Sequence, residues 1–326
     1  MNKQDVIAIT GAAGFISSYL VGFLNRLGYE QLLLVDDFSV PAKAPNLEGK
    51  KFLQQIDRNE FIAWCRQNPG VIRHMFHLGA RTDTTEMDYE VHRKWNLEYS
   101  KDIWAVCTEQ NIPLVYASSA ATYGDGEFGY VDDHSKVSQL KPLNPYGQSK
   151  QDFDVWALEQ STTPPFWAGV KFFNVYGPNE YHKGRMASVI MHAHKQILQN
   201  GNMRLFRSHR PDFTDGGQMR DFVYVKDVVQ ICIWLMEGQP ASGLYNAGSG
   251  KARSFLDLAH AIFAAVDREP NVEFIDTPID IRDKYQYFTE ADMRKAREAG
   301  YPHPSTSLEE GVKDYVQRYL AQGNYF

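Results

Sequence analysis

Apolar residues in the first half of the chain fall into short runs separated by stretches of helical periodicity. Val6–Thr10 is apolar and rich in β-branched side chains; residues 14–27 repeat their apolar positions at helical spacing and stop at Gly28; residues 31–35 form a second apolar run that ends in Asp36-Asp37. Residues 71–78, 112–117 and 166–173 repeat the strand pattern, and residues 95–109 and 150–160 the helical one. Strands this short and apolar are buried on both faces. Their alternation with helices predicts βαβ units in a parallel, doubly wound sheet with right-handed crossovers, an α/β fold. After Val175-Tyr176-Gly177-Pro178 the pattern changes. A helix is predicted over 186–199, then a strand and helix over 221–224 and 225–237 that return to the sheet, then short elements between proline-rich turns. The expected division is a nucleotide-binding part at 1–175 plus about 218–247, and a smaller, interleaved α/β part at about 176–217 and 248–326 that caps the ligand edge of the sheet.

Composition narrows the class. The chain has 326 residues and a net charge of −6, which argues against a general nucleic-acid binder. Cys65, Cys107 and Cys232 are widely spaced, which suits a reducing compartment and neither a disulfide framework nor a zinc site. His192 and His194 stand two apart on a predicted helix and face different ways, so no metal is expected. No apolar run reaches membrane-spanning length, and Met1-Asn2-Lys3-Gln4-Asp5 leads into a strand, so a cytoplasmic protein without a membrane partner is expected.

The segment Thr10-Gly11-Ala12-Ala13-Gly14-Phe15-Ile16-Ser17 joins the first strand to the first helix. Gly11 permits the tight turn, and Gly14 lets the backbone approach a pyrophosphate seated on the helix N-terminus, as in a Rossmann-type dinucleotide site. Ser17 stands where a third glycine is usual and is small enough to fit. Asp36, about 20 residues further on, suits the adenosine ribose hydroxyls and so NAD. Lys43, Lys50, Lys51 and Arg58 follow closely and could instead meet a 2′-phosphate, so NAD and NADP both stay open.

Tyr146-Gly147-Gln148-Ser149-Lys150 carries the chemistry. Tyr and Lys four apart lie one above the other on a helix, and an ammonium beside a phenol favours the phenolate, whose reference pKa is about 10. Tyr116-Ala117-Ser118-Ser119 ends a strand at the sheet edge where ligands bind, so Ser119, or failing it Ser118, can hydrogen-bond a reacting oxygen while Tyr146 exchanges its proton. Lys150 would also bond the nicotinamide ribose.

The set Gly11, Gly14, Ser119, Tyr146 and Lys150 resembles the extended short-chain dehydrogenase/reductase family, which includes sugar-nucleotide epimerases and dehydratases. The strings Tyr116–Gly124, Pro142–Lys150, Phe172–Pro178, His182–Val189, Arg220–Val225 and Tyr285–Thr289 are similar to the branch that epimerises ADP-heptose at C6. That resemblance implies a homo-oligomer and a nucleotide-sugar substrate. It also implies one NADP or NAD per subunit, with NADP slightly favoured. It makes Lys183 a second base, one of Tyr146 and Lys183 serving each face of the C6 ketone; the residues alone read Lys183 as a loop cation pairing with phosphate. It places Phe15, Ile16, Asp36, Asp37, Lys43, Arg58, Leu78, Gly79, Ala80, Arg81, Asn96 and Val175 around the cofactor, with Tyr146, Lys150 and Lys183. Asn174, Arg185, His192, Phe206, Arg220 and Tyr285 would meet the substrate with Ser119, and Arg220 would pair with its diphosphate.

The departures from the branch fall on the substrate side. Residues 208–219 are longer, Phe206-Arg207-Ser208-His209 is more basic than expected, and Arg185 replaces a small serine. Asp37 replaces an asparagine. Two alternatives follow: another epimerase or a 4,6-dehydratase on a UDP-, GDP- or CDP-sugar, and a catalytically silent dinucleotide-binding sensor. Ala120-Ala121-Thr122 after Ser119 offers no acid for elimination, which counts against the dehydratase.

Overall fold

The computed structural model describes residues 1–282 and 286–326. The first half alternates as expected: β1 (Val6–Thr10), α1 (Phe15–Arg26), β2 (Leu32–Asp36), β3 (Gln54–Asp57), α2 (Phe61–Gln67), β4 (Ile72–His77), α3 (Tyr89–His92), α4 (Tyr99–Glu109), β5 (Leu114–Ser119), α5 (Pro145–Glu159) and β6 (Trp167–Phe172). Short strands and helices follow: β7 (Asn174–Tyr176), α6 (Val189–Asn200), β8 (Met203–Phe206), β9 (Met219–Arg220), β10 (Phe222–Tyr224), α7 (Val225–Gly238), β11 (Gly243–Ala247), β12 (Arg253–Ser254), α8 (Phe255–Ala265), β13 (Val272–Ile275), α9 (Ile279–Arg282), α10 (Arg294–Glu298) and α11 (Leu308–Tyr315).

The main sheet runs β11-β6-β5-β4-β1-β2-β3, every pair parallel. Helices cover both faces, which is why β2, β5, β6 and β11 are buried along their whole length. The strand order reverses between β1 and β4, which opens a crevice at their C-terminal ends. The exits of β1 and β4 meet at that crevice where Gly11 packs on Gly79. Gly11 has φ +64°, and a Cβ placed on it would stand 2.5 Å from the Gly79 Cα. Gly11→Ala should therefore push the β1 and β4 exits apart and weaken dinucleotide binding about tenfold or more, since a non-glycine residue at positive φ costs about 1–3 kcal/mol before any clash. Titration with NAD checks this.

Three features depart from the periodicity. The strand over 222–224 pairs with β7 in a separate two-stranded sheet, and β11 is the strand that returns to the main sheet beside β6. The helical stretch expected from residue 95 begins as a π-helical segment at Arg93–Glu98, ahead of α4. The strand β3 and helix α2 were not anticipated, because Gln54-Gln55-Ile56-Asp57 shows little apolar patterning on an outer strand. Among the described residues no helix is long and apolar enough to cross a membrane.

Candidate active site

The crevice is built first by hydrogen bonds between strand exits. The Thr10 hydroxyl bonds His77 Nδ1 at 2.7 Å and accepts the Gly79 N–H at 3.1 Å, and His77 Nε2 meets the Ser100 hydroxyl at 2.9 Å. Burial holds the His77 ring neutral, with its pKa pushed down to about 3. Leu78, Gly79 and Ala80 leave β4 along this edge. Asn96 grips the next residue from both sides, its Oδ1 accepting the Arg81 N–H at 2.7 Å and its Nδ2 donating to the Arg81 carbonyl at 3.0 Å. The Asn96 amide also donates to Ser149 Oγ at 3.0 Å, tying this loop to α5.

The glycine turn fits a pyrophosphate on the structure's own terms. Helix α1 starts at Gly14 without a side-chain cap, so its first-turn N–H groups remain for an anion. Phe15 packs in the core with Ile16 against it, and Ser17 is buried with its hydroxyl donating to the Thr10 carbonyl at 3.2 Å, so serine serves where a third glycine is usual. Asp36 braces the turn: Oδ2 accepts the Ala13 N–H at 2.9 Å, while Oδ1 accepts the Asp37 N–H at 2.7 Å and pairs with Lys43 at 2.9 Å. Arg58 pairs with Asp37 at 3.1 Å and lies 3.9 Å over the Trp95 ring.

Tyr146 and Lys150 are set by the start of α5. Asn144 Oδ1 caps the Gly147 N–H at 2.8 Å and Pro145 occupies the first turn, a combination worth about 1 kcal/mol that puts Tyr146 in the first turn of the helix. Ser119 ends β5, its Oγ accepting the Ala121 N–H at 3.1 Å, and its hydroxyl lies on the side of the Tyr146 phenol, where it favours the phenolate. Lys150 Nζ donates to the Ala117 carbonyl at 2.9 Å. Burial raises the Tyr146 phenol, the Ser119 hydroxyl opposes it, and Asp154 adds to the rise. The ammonium of Lys150 is not among these influences. Burial lowers Lys150 itself to about 8, with Asp154 opposing.

Lys183 lies in the short helical segment Tyr181–Met186, with Nζ 5.3 Å over the Phe15 ring, so this loop does face the glycine turn. The neighbouring His182 ring meets Asn46 Nδ2 at 3.2 Å, and Asn46 donates to the Ala13 carbonyl at 2.8 Å. Burial lowers the Lys183 pKa, with Glu180 opposing.

The expected substrate residues are spread over separate elements. Asn174 is exposed on β7 with Val175 half-buried after it, His192 is half-buried in the first turn of α6, and Phe206 ends β8. Arg220 is buried. Its guanidinium donates to the Met219 carbonyl at 2.9 Å and to the Gln286 carbonyl. Arg185 is exposed and bonds the Thr85 hydroxyl and Asp83, the latter at 3.5 Å, which places it across the mouth of the crevice. Tyr285 lies outside the described residues.

The sequence reading missed the buried charges beneath the site. Asp154 and Lys171 pair at 2.6 Å and are both fully buried. Asp154 stands one turn beyond Lys150 on α5, and Lys171 interrupts an otherwise apolar strand; either oddity was a usable signal.

A doubly wound parallel sheet whose switch-point crevice meets a bare helix N-terminus on one side and a serine–tyrosine pair on the other defines a nicotinamide-dinucleotide enzyme of the Rossmann class. The model of the NAD dependent epimerase/dehydratase family matches residues 7–248. The chain belongs to that family. It is 47% identical to the ADP-L-glycero-D-manno-heptose-6-epimerase of Fusobacterium nucleatum over 97% of this chain and 98% of that protein. It is 49% identical to the enzyme of the same name from Nitratidesulfovibrio vulgaris over 96% and 97%. The crystal structure of Helicobacter pylori ADP-L-glycero-D-manno-heptose-6-epimerase superposes with a TM-score of 0.82 at 28% identity, covering 97% of this chain and 96% of that one.

Proposed function

We propose that the protein inverts the configuration at C6 of ADP-D-glycero-D-manno-heptose by transient oxidation to the ketone. The observation that carries this reading is the end-to-end similarity, at 47% identity, to a relative bearing that activity's name. A nicotinamide held in this crevice would supply reversible hydride transfer at C6, a cycle with no net redox change. Ser119 holds the reacting oxygen, and Tyr146 removes or supplies its proton on one face. Lys183 serves the other face, and Lys150 orients the nicotinamide ribose. Arg220 pairs with the diphosphate, and Asn174, His192 and Phe206 border the sugar. Incubation with ADP-D-glycero-D-manno-heptose followed by NMR at C6 tests this. An equilibrium mixture containing the L-glycero epimer, with no net reduced dinucleotide, is expected. Conversion of a UDP- or GDP-sugar instead would keep the chemistry and replace the substrate; Arg185 and the ion-paired loop around Arg207 and Asp215, 3.2 Å apart, are the observations that favour that second reading.

We further propose NAD over NADP as the working cofactor. Ser39 holds the Asp37 carboxyl below its usual range, so it is ionised. Of the four cations that could meet a 2′-phosphate, Lys43 pairs with Asp36, Arg58 with Asp37 and Lys51 with Glu30, and Lys50 donates to the Asn46 and Phe326 carbonyls. Asp37→Asn frees Arg58 and removes a repelling charge, so NADP affinity should rise about tenfold while NAD affinity holds. Calorimetric titration with both dinucleotides decides it; a wild-type protein that prefers NADP overturns the assignment.

A further inference from the structure

We propose that Asp154 and Lys171, sealed beneath the catalytic turn, are positioning residues that lock the exit of β5 and the opening turns of α5 into one unit. The inference rests on the roles proposed above for Ser119, Tyr146 and Lys150, and it adds two residues with no exposure to substrate or cofactor.

The pair reaches the reacting groups by two routes. Asp154 Oδ1 accepts the Tyr116 hydroxyl at 3.0 Å, and Oδ2 accepts the Ser118 hydroxyl at 2.6 Å and Lys171 Nζ at 2.6 Å. Tyr116 and Ser118 alternate along β5 and lead directly to Ser119. From the other side, Lys171 Nζ donates to Thr122 Oγ1 at 2.7 Å, and the Thr122 hydroxyl donates to the Ser119 carbonyl at 2.8 Å. The backbone of Ser119 is thus held from before and after by one ion pair. Asp154 lies one turn beyond Lys150 and two beyond Tyr146, so the same carboxylate fixes how α5 sits on β5.

Stability alone gives little reason for this arrangement. A buried ion pair seldom outperforms well-packed apolar side chains of similar volume, and Lys171 lies between the buried Val170 and Phe172. Every hydrogen bond the pair makes instead goes to the strand end and turn that carry Ser119.

The charges also act on the proton-transfer groups. Those facing Asp154 are Tyr116 and Ser118 from β5, Thr122 and Tyr123 from the turn after it, Lys171 from β6, Tyr146 and Lys150 from α5, and more distantly His134. Asp154 favours the protonated forms of both Tyr146 and Lys150. Asp154→Asn leaves the Lys171 cation unbalanced, so the Tyr146 phenol ionises at lower pH. Lys171→Met leaves the Asp154 anion unbalanced, so it ionises at higher pH.

The test is kcat and KM against pH for the full chain with its dinucleotide, on the sugar nucleotide that wild type turns over, for Asp154→Asn, Lys171→Met and Lys171→Arg. The expected result is a fall in kcat of about 100-fold for the first two, the scale of an ångström-sized misplacement, with KM within about threefold. Their acid limbs should move in opposite directions, and Lys171→Arg should recover most of the rate. Thr122→Val keeps the Asp154–Lys171 ion pair, cuts the relay from Lys171 Nζ through the Thr122 hydroxyl to the Ser119 carbonyl, and should cost about tenfold in kcat with the limb unmoved, so the proposal stays testable if the charge variants fail to fold. Folded variants with wild-type kcat and limbs overturn it. So do limbs that move together while activity merely follows melting temperature. A wild type inactive on ADP-heptose but active on another nucleotide sugar sinks the substrate reading alone, because the variants are then compared on that sugar.

Discussion

Replacing Tyr146 by Phe should reduce kcat about 1,000-fold, within the range that a positioned acid–base group contributes, and leave cofactor affinity unchanged. The ring survives the substitution, and with it the edge contact to His92 at 6.1 Å between centroids, so folding should not change. Only the phenol hydroxyl is lost. Burial holds the wild-type phenol protonated over a wider pH range than in water. A base needs the ionised form, so wild-type turnover should rise with pH as the phenol ionises, and the variant should lose that limb. The measurement is kcat over pH with the nucleotide sugar, alongside NAD titration. A variant that keeps a tenth or more of the wild-type rate would remove Tyr146 as the proton carrier. A variant that still supports the protein's role in vivo would point to the silent sensor.

The cofactor side of this crevice was legible because its rules are local. A tight turn needs Gly11, a helix N-terminus needs Gly14 bare, and an acidic residue must follow at the next strand end. All of these are short-range demands on a strand–turn–helix, and the structure meets them with Asp36 bonded to the Ala13 N–H. The parallel order was legible for the same reason, since fully apolar strands leave no solvent face.

What the sequence could not show depends on burial and on contacts far apart in the chain. The Tyr-Lys spacing was read as an ammonium lowering a phenol pKa, but spacing says nothing about desolvation, and here desolvation dominates both groups. Arg220 was read as pairing with a substrate diphosphate, and its bond to the Gln286 carbonyl, 66 residues away, could not be read from the chain. Arg185 marked a departure in the right segment, but that it reaches across to Asp83 and Thr85 follows only from the packing of two distant loops. The strand β3 was missed because its pairing with β2, not its own pattern, defines it.

Lys183→Met carries the other large expected loss, about 100-fold or more in epimerisation, with NAD binding retained. The reason for a second base is geometric. The two epimers carry their C6 hydrogens on opposite faces of the ketone plane, so each presents its hydroxyl to the site in a different orientation, and in the proposed cycle the phenol at the end of β5 takes the proton of one of them. Lys183 approaches from a different element, with its Nζ over the Phe15 ring beside the glycine turn. To accept a proton it must be neutral. Burial lowers its pKa, so the neutral fraction grows with pH and becomes appreciable at a lower pH than for a lysine in water. Two proton carriers give paired half-reactions. In a single turnover with bound NAD, each epimer supplied alone should raise absorbance at the reduced-nicotinamide band when its own base is present. Lys183→Met should keep that signal with one epimer and lose it with the other, and Tyr146→Phe should show the reverse. Equal loss with both epimers in the Lys183 variant would assign the lysine to binding the diphosphate, where its charge rather than its proton matters, and KM would then carry the defect. Unimpaired epimerisation would leave Tyr146 as the base for both faces.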